Sequence, residues 1–343
     1  MLAPDAPPRD HPTVQNLTVL GSALIATLFL LALTMLVGTA AFHFLVWRRT
    51  SLPSGPVRAA ADEQVTALVL TCGRWSSLAV LLLAGPRAVG VASLLDDRFT
   101  LPSRLATLLL RSGWGIGLFA TLAAAVISYV GYLGVAKKQP WGWPLNLIGI
   151  GLVGLGAGLQ GHPADAFSQL TLAPLFDGIH ALSTGGWLGA FVLLVLAERR
   201  LPAHTSSPWT DPLGGMLERY FSVSEALAAA VVLTGLFSAA THLTGFDDIQ
   251  RTQYGRLLAG KVGIFLILMA LNEFHRRHAE RKARTSERPQ LVRSLRFEAG
   301  LIGLILALTA LLLDADPPGV NEVKAEVFRV APRGAVEFND VVP

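Results

Sequence analysis

Long apolar runs constrain the fold of this chain more than any other feature of its sequence. A stretch of about 20 apolar residues can cross a bilayer as an α-helix, and every backbone polar group in hydrocarbon needs a partner within the protein. The runs therefore predict an all-α integral membrane protein with eight transmembrane helices. These are Leu17–Trp47, Asp62–Ala84, Ser103–Ala136, Leu145–Gln160, Leu172–Arg200, Leu217–Thr244, Tyr254–Phe274 and Leu291–Leu313.

The composition fits this class. Hydrophobic residues make up 52% of the 343 positions and charged residues 15%, as in membrane proteins. An isoelectric point near 9.5 suggests nucleic acid in soluble proteins, but here the basic residues lie in loops, so we expect no nucleic-acid partner. The single cysteine, Cys72, and only four methionines argue against an internal disulfide, a cysteine-rich metal cluster and a methionine ladder for cuprous ion.

Loop charges indicate the orientation of the chain in a bacterial inner membrane. Loops after odd-numbered helices are basic, whereas the others carry acids or almost no charge. Basic loops stay on the cytoplasmic side, so both termini are predicted to lie in the periplasm. The basic residues are Arg48, Arg49, Arg58, Lys137, Lys138, Arg199, Arg200 and the cluster from Arg276 to Arg288. The first run is too long for a signal h-region and predicts a true spanning helix.

These boundaries divide the chain into four regions. They are a periplasmic arm (1–15), helices one to four (16–160), helices five to eight (161–318) and a periplasmic tail (319–343). Extended runs on either side of residues 331–334 favour a short β-hairpin in the tail, with an unstructured tail as the alternative. Gly85-Pro86 is expected to end the second helix, whereas the third helix is expected to run unbroken.

Polar side chains recur on one face of the fifth predicted helix. Asp177, His180, Ser183, Thr184 and Trp187 lie at helical spacing, so they project from the same side. Polar groups are costly in hydrocarbon and mark a functional site by default. This face is therefore predicted to point into the protein interior or a cavity.

Small residues predict close contacts between helices. Gly185 and Gly189 on the fifth helix, and Gly154 and Gly158 on the fourth, are pairs that let a neighbouring backbone approach. The short, glycine-rich fourth helix is expected to be buried among the others.

Three histidines and a carboxylate are predicted to converge on the periplasmic side. His180 and Asp177 lie in the outer third of the fifth helix, His162 just beyond the fourth, and His242 at the outer end of the sixth. Imidazole and carboxylate suit Cu(II) and zinc, so these four residues are the predicted metal ligands. The alternatives are a structural histidine at 180 and ordinary interfacial residues at 162 and 242.

Other charged residues have simpler expected roles. Lys261 lies at the depth of Asp177, which predicts an internal ion pair, whereas Arg74 and Arg111, inside the second and third helices, would snorkel, pair or hold an anion. The histidines expected to be solvated at the cytoplasmic face are His43, His204, His275 and His278. Glu225 and Glu298 are expected to meet Arg219, Arg293 or Arg296.

Four stretches of the second half carry a family resemblance. They are the helix-five motif from Ile179 to Gly189, the sixth helix from Arg219 to Thr234-Gly235, the run Tyr254-Gly-Arg-Leu-Leu-Ala-Gly-Lys261, and Arg293 to Glu298. Over about residues 176–318 the chain resembles the CopD family of bacterial copper-resistance inner-membrane proteins. The second and third stretches are the most specific, because hydrophobicity alone does not produce their order.

The resemblance implies an eight-helix copper protein that works with a periplasmic CopC-like copper carrier and moves copper across, or handles it at, the inner membrane. By position, His180 matches the family's histidine in the fifth helix. His162, His242 and Asp177 are predicted from depth and chemistry alone. These residues include no CopC-like domain and none of the methionine-rich stretches of some copper transporters.

The sequence thus favours a copper-handling protein, a transporter or importer linked to copper homeostasis or resistance, with copper ion as its metal. It contains no phosphate-binding loop, dinucleotide fingerprint, serine nucleophile elbow or zinc-protease motif, so we do not expect an enzyme. The alternative is a membrane b-type haem or quinone oxidoreductase, whose haem would need axial histidines on facing helices. A scaffold or sensor that does not transport is a third hypothesis.

Overall fold

The computed structural model describes residues 12–51, 55–93, 99–160, 172–201, 212–243, 245–283, 288–313 and 315. Across these residues the chain is helical and has no strand, which confirms the all-α prediction. The α-helices are α1 (Pro12–Ala41), α2 (Pro56–Ser93), α3 (Leu101–Arg111), α4 (Gly113–Ala136), α5 (Gly142–Gln160), α6 (Ala173–Glu198), α7 (Pro212–His242), α8 (Asp248–Arg251), α9 (Gln253–Ala283) and α10 (Arg288–Leu313).

Eight helices in the described ranges are long and apolar enough to cross a membrane, as predicted. They are α1, α2, α4, α5, α6, α7, α9 and α10. The shorter α3 and α8 lie outside the spans. The tail with its predicted hairpin, His162 and His204 fall outside the described residues, and α1 already begins at Pro12, within the predicted arm.

The expected break at Gly85-Pro86 is wrong, because α2 continues through Pro86 to Ser93. Proline removes a single backbone hydrogen bond, and packing on both sides of it holds the helix together. Ala84 and Ala88, which flank Pro86, are both buried in a cluster with Leu118 of α4.

The expected unbroken third helix is also wrong. Ser112 adopts an extended conformation between α3 and α4, and its Oγ accepts a hydrogen bond of 3.2 Å from the Gly115 amide. Serine favours this N-cap position because its side chain satisfies an amide that the helix leaves free. A side chain at Gly115 would collide with the carbonyls of Leu108 and Leu109. Arg111 therefore ends the amphipathic α3 and is exposed, rather than lying inside a spanning helix.

The end of α1 defines one end of the bundle. The helix tightens there through a π-helical turn, Phe42–Val46, into a 3-10 turn, Trp47–Arg49. Trp47 Nε1 donates to Asp62 of α2 at 2.9 Å, and Arg219 Nε of α7 donates to the Leu45 carbonyl at 3.1 Å. We call this the basic end. The end at which α6 begins and α7 finishes is called the His180 end.

The glycines of α6 bring it against two neighbours, as predicted. A Cβ at Gly189 would fall on the Thr34 carbonyl and the Gly38 backbone of α1, and one at Gly185 would press on Val37. Such contacts between backbones are typical of membrane helices. On its other side, α6 meets the glycines of α5.

The contact between α5 and α6 uses the predicted pair Gly154 and Gly158. A Cβ at Gly158 would collide with the Pro174 carbonyl, and one at Gly154 with Leu182. Of the eight spans, α6 is the most buried, because α1, α5 and α7 all pack on it. By contrast, α9 is the least buried, and its apolar side chains such as Leu266 are exposed as lipid-facing residues are.

Candidate functional site

His180 is held at the His180 end by α7, through the Thr234 hydroxyl and the Val231 backbone. Its Nδ1 lies 3.0 Å from Oγ1 of Thr234. The threonine hydroxyl has only one hydrogen, which it donates to the Ala230 carbonyl at 2.6 Å. Where the hydroxyl donates to Ala230, Thr234 accepts from His180 Nδ1–H. In the neutral ring this leaves the lone pair on Nε2, the atom that would bind a metal.

The residue after this threonine leaves room for the imidazole. A Cβ at Gly235 would lie 3.4 Å from Cε1 of His180 and 3.7 Å from Nδ1, so any larger side chain would press on the ring. The dipeptide Thr234-Gly235 thus has a physical role. Threonine contacts Nδ1 of the imidazole, and glycine leaves space beside the ring.

Asp177 and Lys261 bring two charges to the same place. Asp177 lies one turn before His180 on α6, and both Asp177 and Lys261 interact electrostatically with His180. They also interact with each other, and Tyr254 of α9 interacts with Asp177. Lys261 and Asp177 therefore interact electrostatically, and the ion pair between them stays a prediction. The site is built by α6, α7 and α9.

The polar face of α6 continues from His180 into the bundle. Thr184 Oγ1 and Trp187 Nε1 are buried and have no hydrogen-bond partner among the described residues. The Trp187 ring packs edge-on against Phe265 of α9, with 5.5 Å between ring centroids. Tyr220 of α7 donates its hydroxyl to the Trp187 carbonyl at 3.3 Å. As predicted, this face points into the protein interior, toward α7 and α9.

Only part of the predicted ligand set can be located. Asp177 and His180 share the site, but His162 lies outside the described residues. His242 is the last residue of α7, and its side chain is not described. At about 1.5 Å per residue, its backbone lies about 12 Å beyond Thr234 along the helix. Within the described ranges no three residues among His, Cys, Asp and Glu are grouped as a metal cage would require.

Comparison with known protein families gives one match. Residues 214–312 match the family model described as Copper resistance protein D. Over this region the chain is similar to the CopD family. The matched residues include α9 and nearly all of α7 and α10, so Thr234 and Lys261 lie within the match.

Two curated relatives agree with this assignment. The chain is 28% identical to the copper transport protein CutJ of Bacillus subtilis (strain 168) over 204 residues, which is 58% of this chain and 35% of that protein. It is 30% identical to copper resistance protein D of Pseudomonas syringae pv. tomato over 153 residues, 41% of this chain and 48% of that protein. The chain thus matches about half or less of the length of each relative. No solved structure matches it.

Within the CopD region, sequence reasoning missed a second polar cluster at the basic end. His275 was expected to be solvated, but it is 1% exposed, and its Nδ1 lies 2.9 Å from Glu298 Oε2 of α10. The carboxylate is itself 3% exposed and does not meet the predicted arginines. His275 Nε2 lies 2.9 Å from Ser294 Oγ. The expectation is wrong because His275 faces α10, whereas its neighbours Arg276 and Arg277 face outward.

Helical spacing could have revealed this pair. Glu298 interrupts a stripe of buried residues on α10, and His275 falls on the stripe of Leu268 and Asn272 on α9. The buried residues of the α10 stripe are Leu291, Leu295, Ile302 and Ile305. Such an i, i+4, i+7 pattern indicates the buried face of a helix.

The remaining charges at this end find partners other than the predicted ones. Glu225 pairs with Arg276 at 3.3 Å, and Arg296 with Glu198 at 3.4 Å. His43 was also expected to be solvated, yet its ring stacks on Trp143 of α5 with 3.8 Å between centroids. His43, His180 and His275 thus contact α5, α7 and α10 respectively. Among the described side chains, no two histidines face each other as a bis-histidine haem would need.

Proposed function

We propose that this chain transports copper across a bacterial inner membrane and binds it at a site formed by Asp177 and His180. The observation that carries the proposal is the hydrogen bond from His180 Nδ1 to Thr234. It orients the ring and leaves Nε2 available beside a carboxylate within a spanning helix. A ligand histidine whose other nitrogen donates to a fixed acceptor is typical of metal sites.

The residues present fit copper as the transported ion. Imidazole and carboxylate are suitable ligands for Cu(II). His242, at the end of α7, and His162, in the segment after α5, are proposed as further ligands. The relatives named for copper transport and copper resistance support copper as the substrate.

Lys261 gives the site a defined metal-free state. A carboxylate within a spanning helix is destabilised when no cation is near, and Lys261 interacts electrostatically with Asp177. We propose that an incoming copper ion replaces Lys261 as the partner of Asp177. Positive-inside orientation would place this end in the periplasm, where a CopC-like carrier would deliver copper for import.

Copper uptake into proteoliposomes tests the function. We expect the wild-type protein to accumulate copper, and His180→Ala and Asp177→Asn to reduce the initial rate by about tenfold or more, because each removes a ligand. Glu273→Gln, a change at an exposed ion pair of the basic end, serves as the matched control and should transport normally. Equal rates in all four proteins would exclude the site.

The visible absorption spectrum of the purified protein distinguishes the copper proposal from the alternative, a membrane haem protein. The copper proposal predicts no Soret band in protein isolated without chelator. A Soret band that is lost in His180→Ala would instead assign the site to haem.

A further inference from the structure

The pair His275 and Glu298 lies among apolar residues, in a part of the bundle that the proposed copper site does not use. His275 is one turn from the last residues of the α9 span, and Glu298 lies two turns inside the α10 span. Burying a lone charge is costly. With a neutral imidazole and an ionised carboxylate the pair has a net charge of −1. One added proton brings the net charge to zero.

We propose that His275 and Glu298 form a proton-binding site within the membrane, which takes up and releases one proton as a unit. Nδ1 and Oε2 lie 2.9 Å apart, within ion-pair distance but outside hydrogen-bond geometry, so a proton on either side chain changes the field at the other. Ser294 Oγ contacts the other ring nitrogen and keeps the imidazole oriented. The ligand is a proton, and the proposal does not depend on copper.

Two further polar side chains lie near the pair, between α9 and α7. Asn272, one turn before His275, is 3% exposed and donates to Ser224 Oγ of α7 at 3.2 Å. Its Oδ1 has no partner among the described residues, so it remains available to a proton carrier such as water. Ser224 in turn adjoins Glu225, which lines a cavity of about 310 Å³ between α7 and α9.

Several charged groups near the pair are paired with other residues. Tyr220 of α7 interacts electrostatically with Glu298 and donates its hydroxyl to the Trp187 carbonyl. The other charged groups are held elsewhere: Arg276 by Glu225 and Glu273, Arg296 by Glu198 of α6, and Arg219 by the Leu45 carbonyl. The α1 helix, which packs on α10, contains no titratable side chain. Among the described side chains, His275 is the basic group in contact with Glu298.

Infrared difference spectroscopy of the full chain in detergent, recorded over a pH series, tests the proposal. In the wild-type protein one transition should change a carboxyl band and an imidazole band together. Glu298→Gln should remove the carboxyl band and displace the imidazole transition by about one pH unit or more, as expected for an opposite charge in contact. His275→Gln should remove the imidazole band and displace the carboxyl transition by a similar amount.

Glu273→Gln is the matched control, because it alters an exposed glutamate on the same helix. It should leave both bands unchanged. Ser294→Ala keeps the test valid if a variant of the pair fails to fold, because it perturbs the same transition without touching either charge. Carboxyl and imidazole bands that titrate separately in the wild type, or that do not move in the two variants, would overturn the proposal.

Discussion

Thr234 shows how one hydroxyl can decide which atom of a histidine is available for chemistry. Where its hydrogen goes to Ala230, the threonine accepts from His180. Without that acceptor the ring would lose both its preferred tautomer and its orientation. The same logic makes Thr234 a better test of the site than a ligand change alone, since it touches no proposed ligand atom.

Thr234→Val is therefore expected to weaken copper binding by about 10–100-fold, the usual effect of losing a partner of a metal ligand. Thr234→Ser retains the hydroxyl and should bind nearly as the wild type does. Thr309→Val is the control, because the Thr309 hydroxyl bonds only within α10. Titration of each purified variant with copper measures the affinities. Equal affinity in Thr234→Val and Thr234→Ser would contradict the role of the hydroxyl.

At the scale of elements, close contact between α1 and α6 positions the polar face. Gly189→Ala would place a methyl group on the α1 backbone at Thr34 and Gly38. Neither helix can relieve this clash by a side-chain rotation, so we expect a loss of about 1–3 kcal/mol. Thermal unfolding in detergent measures it. The control is Gly263→Ala on α9, where a Cβ meets nothing within 4 Å and helix propensity favours alanine.

The unfolding temperature of Gly189→Ala should fall below those of the wild type and of Gly263→Ala. If both glycine variants unfolded at the same temperature, the close approach of α1 and α6 would not contribute to stability.

The elements and their glycine contacts could be predicted from the sequence because both depend on local patterns. Apolar length gives the spans, and small residues at i, i+4 give the helix contacts. The positions at which helices end or are interrupted were harder to predict. Pro86 looked like a helix end but tertiary packing overrides it, and Ser112 looked like an interior residue but caps α4.

The site itself was only partly predictable. Asp177 and His180 follow from spacing on one helix, whereas Thr234 contributes only because α7 packs at a particular rotation. His275 was misassigned because its sequence neighbours are arginines, although its partner in space is Glu298. The charges of sequence neighbours are a poor guide to the surroundings of a side chain when a helix exposes one face and buries the other.

At the scale of the whole molecule, the two ends of the bundle carry different chemistry. The His180 end holds a carboxylate, an imidazole and a lysine, and the basic end holds arginines paired with glutamates. The distribution of loop charges predicts which end faces the cytoplasm. Reporter fusions placed after Pro343 and within Ala279–Glu287 should report the periplasm and the cytoplasm respectively. Both reporters on one side would contradict the orientation.

The copper content of the purified protein tests the central claim most directly. At limiting copper, His180→Ala should hold about tenfold less copper per folded protein than the wild type, because no neighbour replaces Nε2. His43→Ala is the control: its ring stacks on Trp143 at the basic end, so its loss should lower thermal stability but not copper content. Elemental analysis of the monodisperse fractions measures the amount of copper per folded protein. Copper content in His180→Ala equal to that of the wild type and of His43→Ala would contradict the assignment of the site.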